Sequence, residues 1–401
     1  MGYTILHITD WLLWAFMAVS VFYVFFFSLV SLLPCHQQRI SSESIPESRF
    51  LVLFPAYHED TVIIPSIEAF LKQTYPVTHY KVVVISDHMQ PETNHKLANL
   101  PIKLLQPSFE RSSKAQALQY AMREEERRNI EKKRYEYVVI LDADNIVNTD
   151  FLTRLNQECS MGYHAIQCHR TAKNADNDIA ALDGISEEIN NSIFRKGHKR
   201  IHMSSALIGS GMCFDYQWFK EHVNCLNSAV EDRELEALLM KQRIFIHYAE
   251  DINVMDEKVS NSDNFQRQRL RWMTGQIQTL IHMLPDLPKA IITGNINYID
   301  KTIQQTLIPR SILLILVPLF ALIATLFTIF SSFTLHSSFL RWWGLFILLC
   351  IALFIAIPRP LRNKAIFSKI MSLPLLVWRM LKNLLHIRTS NKEFIHTTHN
   401  Q

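Results

Sequence analysis

Tyr137-Val138-Val139-Ile140-Leu141-Asp142-Ala143-Asp144-Asn145 decides the fold. Five apolar residues, rich in β-branched types, run straight into two carboxylates one residue apart. A short apolar run without alternation reads as a strand covered on both faces, and such strands belong to parallel sheets. Upstream, Phe50-Leu51-Val52-Leu53-Phe54-Pro55 and Lys81-Val82-Val83-Val84-Ile85-Ser86-Asp87 repeat the pattern, with a shorter run at Ile102–Leu105. Between them, Thr61–Gln73 and Lys114–Lys133 read as helices. Strands alternating with helices predict an α/β domain with a mainly parallel sheet. Ligands of such sheets bind beyond the carboxyl ends of the strands. Glu59, Asp87, Asp142 and Asp144 all fall there.

Composition narrows the classes. The 401 residues are 48% hydrophobic and 19% charged, greasier than an ordinary soluble domain, and the net charge is only +4. That balance argues against a nucleic-acid partner. With nine glycines and no G-x-x-x-x-G-K-[ST] or G-x-G-x-x-G, phosphate-loop and dinucleotide folds are disfavoured. The six cysteines form no C-x-x-C pair, so reduced thiols in a cytosol-facing domain are expected.

Three long apolar segments stand out: Trp11–Leu33, Ser311–Phe330 and Phe339–Ile357. Each is long enough to cross a bilayer, with a re-entrant hairpin as an alternative for the third. Asp10 precedes the first run and no cleavage site is clear, which favours an uncleaved span over a signal peptide. Arg341-Trp342-Trp343 reads as an interfacial anchor. Arg39 and Arg49 follow the first span, and Arg359, Arg362, Lys364 and Lys369 follow the third. The positive-inside rule therefore puts the N-terminus outside and residues 40–306 and the tail in the cytoplasm of an inner-membrane protein.

The expected divisions are a transmembrane helix within 1–38, a cytoplasmic domain over 45–275, amphipathic interfacial helices over 276–306, two spans within 307–358 and a basic amphipathic tail over 359–401. For 276–306, an ordinary core helix remains an equal alternative to a surface-lying one.

Three motifs carry chemistry. Asp142 and Asp144, in a turn, can face a divalent cation together with diphosphate oxygens; such hard ligands suit Mg²⁺ or Mn²⁺. A solvated turn is the alternative. Glu231-Asp232 begins a helical pattern, where acids also serve the helix dipole. A general base must be a carboxylate able to take a proton, and a like-charged neighbour with partial burial raises a pKa in that direction. In Gln268-Arg269-Leu270-Arg271-Trp272, Gln268 and Trp272 share a helical face. Arg271 offers a planar fork for oxygens gaining charge, and Trp272 a flat face for a sugar ring. An amphipathic helix with a core tryptophan is the alternative.

Taken together, the motifs resemble those of the membrane-integrated family-2 glycosyltransferases, the group of cellulose, chitin, hyaluronan and poly-N-acetylglucosamine synthases. The likeness covers about residues 50–275. Pro55-Ala56-Tyr57-His58-Glu59 resembles the first-strand motif, with His58 where Asn is usual. Asp87 and Lys114-Ala115-Gln116-Ala117-Leu118 resemble the nucleotide-contacting positions. Gly209-Ser210-Gly211-Met212 resembles the small-residue loop near the acceptor. Val230-Glu231-Asp232 resembles the acidic motif, with Val230 where Thr is usual. Gln268–Trp272 resembles the Gln-X-X-Arg-Trp signature.

The resemblance implies a GT-A fold, a UDP-sugar donor of hexosyl or N-acetylhexosaminyl type, Mg²⁺ or Mn²⁺, and inversion at the anomeric carbon. It implies Asp232 as the base and Asp144 with Asp142 at the metal. Pro55, Ala56, Tyr57, Glu59, Asp87, Lys114, Asp142 and Arg271 fall on the donor side. Gly209, Ser210, Gly211, Glu231, Gln268 and Trp272 fall on the acceptor side. Gly209–Met212 and Gln167–Arg170 are expected to choose the sugar. The expected partners are a glycan or lipid-linked acceptor, membrane lipids, and a second copy or export subunit. The expected role is polysaccharide or cell-envelope glycan synthesis. Single addition to a lipid-linked acceptor, and a sensor of nucleotide sugars on a degenerate transferase fold, are the alternatives.

Overall fold

A computed structural model describes residues 2–34, 45–128, 135–174, 178–228, 230–258, 262–330 and 336–362. They fall into two compact units. One takes those within Met1–Cys35, Glu188–His202 and Thr306–Ser390, and the other those within His36–Glu187 and Met203–Gln305.

The larger unit is built on a sheet of eight strands. They are β1 (Phe50–Tyr57), β2 (Tyr80–Asp87), β3 (Lys103–Leu105), β4 (Tyr137–Ile140), β5 (Ile146–Val147), β6 (Ala165–Ala172), β7 (Met212–Asp215) and β8 (Ile246–Asp256). Their order is β3-β2-β1-β4-β7-β6-β8-β5. The half β3-β2-β1-β4 is parallel throughout, as the unbroken apolar runs predict. β7 enters antiparallel between β4 and β6, and β5 pairs antiparallel with β8, which makes the sheet mixed. The sequence shows why the first half needs no alternation. On β1, Leu51 and Leu53 join one core with the helix Lys114–Arg128, while Phe50, Val52 and Phe54 join another with the helices Ile63–Phe70 and Phe151–Ser160. Both faces are dry, so every position is apolar.

The segment 276–305 groups with this unit and contains the helix Ile296–Thr306. One face of that helix is buried through Tyr298, Lys301, Thr302 and Gln305. Along the same stretch Ile277, Ile281, Ile291, Ile292 and Ile296 are exposed. The stretch thus packs on the domain on one side and keeps apolar side chains exposed on the other.

The smaller unit holds three helices long and apolar enough to cross a membrane, Thr4–Val30, Arg310–Ile329 and Ser337–Ala356. Met17, Val21, Leu313, Val317, Ala321, Leu345 and Leu349 pack together between them. Two expectations change here. Asp10 lies inside the first helix, because its carboxylate accepts from Trp342 Nε1 at 2.7 Å, Arg341 Nη2 at 2.7 Å and Ser338 Oγ at 2.9 Å. Trp342 is wholly buried, so it locks helices together instead of anchoring at an interface. Arg341 also caps the Trp11 ring at 3.5 Å, a cation–π contact. Glu188–His202, within the stretch expected to be wholly cytoplasmic domain, groups with these helices. The His198 ring stacks on Phe27 at 3.8 Å and bonds Tyr23 Oη at 2.9 Å. Of the expected basic tail, everything beyond Arg362 lies outside the described residues.

Candidate active site

The carboxyl ends of β1, β2 and β4 open onto one face of the larger unit. Past β4, Leu141, Ala143 and Asn145 are buried while Asp142 and Asp144 are half-buried. The alternation aims both carboxylates the same way. The turn is tied down by side chains: the Asp142 amide donates to Asn145 Oδ1 at 2.9 Å and to Ser210 Oγ at 3.0 Å. Asp144 accepts from Asn145 Nδ2 at 3.0 Å and from the Glu257 amide at 3.0 Å, just past β8.

Lys114, at the start of its helix, joins several of the predicted residues. Its Nζ lies 2.5 Å from Asp142 Oδ1, donates to the Gly209 carbonyl at 2.6 Å and stands 3.5 Å from Glu231. Burial would lower its pKa, but Asp142, Glu231 and Asp232 outweigh that and raise it. Asp142 shows the converse. Burial pushes its carboxyl up, yet Lys114, Arg170 and Arg271 together hold it below the usual range. Arg271 is thereby within electrostatic reach of Asp142.

The acidic pair divides. Glu231 is buried against Lys114, and burial pushes its carboxyl up to about 7, with Lys114 opposing and Asp232 adding to the rise. Asp232 is half-buried and faces the glycine loop: a Cβ placed on Gly209 would lie 3.8 Å from its Oδ2. Of the two acids, Glu231 is the one the fold buries. Gly209 and Gly211 have φ of +57° and +66°, which L side chains rarely adopt. A Cβ on Gly211 would meet Val254 at 3.0 Å.

Beside the DXD turn, Tyr57 pairs in register with Asp87 across β1 and β2. Asp87 is buried and accepts from His88 Nδ1 at 2.6 Å. Gln268, Arg271 and Trp272 sit on one long helix, Ser262–Met283, all half-buried. Gln268 Oε1 is buried and has no hydrogen-bond partner among the described residues.

Sequence reasoning gave no role to the two histidines that follow β1 and β2. His58 and His88 both have φ of +54° immediately after β1 and β2, a strain histidine tolerates better than most residues. The repeated strand–His boundary was the available signal. Arg170 gives two hydrogen bonds to buried Asp256, at 2.9 and 2.5 Å. Burial would lower its pKa, but Asp256, Glu187, Asp142 and Asp144 raise it. Gln167 proves unsuited to choosing a sugar. It is fully buried and spends its amide on the loop, accepting from the Ile208 amide and donating to the Ser210 carbonyl.

A metal fits the donor set. Among the described residues no three His, Cys, Asp or Glu side chains converge. The residues that would hold it are Asp142 and Asp144, and Mg²⁺ commonly takes one or two carboxylates and leaves the rest of its shell to phosphate and water.

A GT-A-type sheet with an Asp-X-Asp turn at its carboxyl edge defines a nucleotide-sugar transferase class. The chain matches the glycosyl transferase family group 2 over residues 137–379, more than half its length, and glycosyl transferase family 2 over 51–222. It belongs to this family. Among solved structures it is similar to the mannosyltransferase PcManGT of Pyrobaculum calidifontis, solved in complex with GDP-Man and Mn²⁺. The identity is 15% and the TM-score 0.53, covering 93% of this chain and 97% of that one. A weaker likeness is to S. aureus TarS 1–349, at 13% identity and TM-score 0.43 over 84% and 92% of the two chains. Among curated proteins nothing matched.

Proposed function

We propose that the chain transfers a sugar, with inversion, from a UDP-sugar to a glycan or lipid-linked acceptor at the cytoplasmic face of a membrane. The observation that carries this reading is the convergence on Lys114. One ammonium joins the DXD turn (Asp142), the acidic motif (Glu231) and the glycine loop (Gly209 carbonyl), three motifs far apart in sequence.

In the mechanism, Asp232 takes the proton from the acceptor hydroxyl, which then attacks the anomeric carbon in line with the departing diphosphate. Its partial exposure toward Gly209 suits a group that must meet an incoming hydroxyl. Asp142 and Asp144 would hold Mg²⁺ or Mn²⁺, which when bound offsets charge on the diphosphate. Arg271 adds a fixed cation on the same side. Asp87, Lys114 and the strand end Pro55-Ala56-Tyr57 with Glu59 seat the nucleotide. Gly209, Ser210 and Gly211 leave backbone open to the acceptor, and Gln268 with Trp272 forms its wall, Gln268 offering its buried oxygen to a sugar hydroxyl. Glu231, on the acceptor side in the sequence reading, serves by holding Lys114.

The exposed isoleucines of 277–296 support contact with membrane lipids. Polymer synthesis for the cell envelope is the biological role we assign. Three spans make a narrow channel, so a second copy or an export subunit would complete a processive route.

The test is release of nucleoside diphosphate by purified full-length chain from a panel of UDP-sugars and GDP-mannose, with and without Mn²⁺. Metal-dependent release from a UDP-sugar is expected. Release from GDP-mannose alone would overturn the choice of UDP, and release from none would overturn the transferase reading.

A further inference from the structure

The helix Glu231–Lys241 carries a second buried acid, Glu236, that the mechanism above does not use. It stands four residues beyond Asp232, on the same helical face. Its Oε2 accepts from the Leu207 amide at 2.8 Å. Asp232 faces the same loop two residues later, where a Cβ on Gly209 would lie 3.8 Å from its Oδ2. One helix face therefore bonds the loop at Leu207 and faces it at Gly209.

A carboxylate sealed from water is costly unless it is paired and hydrogen-bonded. Glu236 has the hydrogen bond from the Leu207 amide. Lys301, fully buried on the helix Ile296–Thr306, and Arg233 are within electrostatic reach of it. Burial drives the Glu236 carboxyl up, against the pull of Lys301, the Leu207 amide and Arg233. The same supporting helix holds neighbouring parts. Asn297 Oδ1 accepts from the Ser204 amide at 2.9 Å, three residues before Leu207. Gln305 pairs with Arg233, next to Asp232, and its carbonyl accepts from Gln276 Nε2 at 3.0 Å on the helix that bears Gln268–Trp272.

We propose that Glu236, buried and bonded to the Leu207 amide, is a positioning residue that fixes the distance between Asp232 and the acceptor-side loop. Gln167 already holds this loop at Ile208 and Ser210, and Lys114 at Gly209; Glu236 adds the hold at its start, Leu207, on the helix that carries Asp232. The role of the loop rests on the transferase reading above; the hold of Glu236 on it does not.

The experiment compares wild-type full-length chain with Glu236→Ala and Glu236→Gln in detergent, by amide hydrogen exchange and by kinetics. Glu236→Ala is expected to raise exchange across 203–211 at least tenfold. It should lower kcat/KM for the acceptor by more than tenfold and leave the Kd for UDP within twofold. Glu236→Gln keeps an oxygen for the Leu207 amide and should recover most of the protection. If Glu236→Ala does not accumulate, Glu236→Ser, too short to reach Leu207, takes its place with the same expectation. Unchanged exchange over 203–211 in the shortened variant would overturn the proposal. So would loss of UDP binding in parallel with transfer, since that marks general unfolding. If wild-type protein turns over no nucleotide sugar, the transferase reading fails, while the exchange result still decides whether Glu236 holds the loop.

Discussion

At the residue scale, the informative contrast is between Glu231 and Asp232. Adjacent acids at a helix start look equivalent in sequence, and either would suit the dipole. Folding separates them: one is sealed beneath Lys114, the other opens toward Gly209. The sealed one carries a pH signature. Its carboxyl ordinarily titrates at 4.5 and is raised to about 7 in the fold, so the folded chain keeps a proton that the unfolded chain releases between those values. Its contribution to stability is present below 4.5 and is lost as pH rises through 7. Glu231→Gln, which mimics the protonated form, should gain thermal stability relative to wild type as pH goes from 5 to 8, read as the difference in Tm in detergent. A constant difference across that range would remove the assignment. Asp142 and Asp232 were legible in sequence as candidates because their motifs state a chemistry. The ion pair of Arg170 with Asp256 and the hold of Gln167 on Ser210 were not, because only the sheet order brings those partners near.

At the element scale, the parallel half of the sheet was legible because a strand covered on both faces has an apolar signature. The antiparallel insertion of β7 was not: Met212–Asp215 is four residues long, too short for a pattern to emerge. The docking of helices was also hidden. Gly275, on the helix of Gln268–Trp272, stands where a Cβ would lie 2.6 Å from Val230 Cγ1. Glycine at 275 is what lets that helix approach the start of the Glu231–Lys241 helix. Gly275→Ala should force them apart at a cost of about 1–3 kcal/mol, typical of overpacking, and lower transfer with it. Adding Val230→Ala should restore both. If the double variant is no better than the single, the contact does not set the spacing. The departure at 230, Val where Thr is usual, thus sits at a packing contact.

For the whole molecule, the division into a sheet unit and a three-helix unit follows the hydropathy of the chain closely. The exceptions are Glu188–His202 and 276–305, which are too polar and too mixed for composition alone to assign. Topology is tested with native thiols. Cys225 is exposed on the sheet unit, whereas Cys159, Cys168 and Cys213 are buried. An impermeant maleimide should label Cys225 only after cells are permeabilised, with Cys225→Ser as the control. Labelling of intact cells would place the sheet unit outside and reverse the orientation drawn from the arginines. The central claim is that Asp232 performs the chemistry at a site assembled around Lys114. Its most direct test is Asp232→Asn in the full-length chain, assayed for donor binding by calorimetry and for sugar transfer in the presence of Mn²⁺. The expected result is an unchanged donor Kd with transfer reduced by at least about 10²–10⁴-fold, the usual scale of general acid–base catalysis. Transfer at the wild-type rate by Asp232→Asn would contradict it.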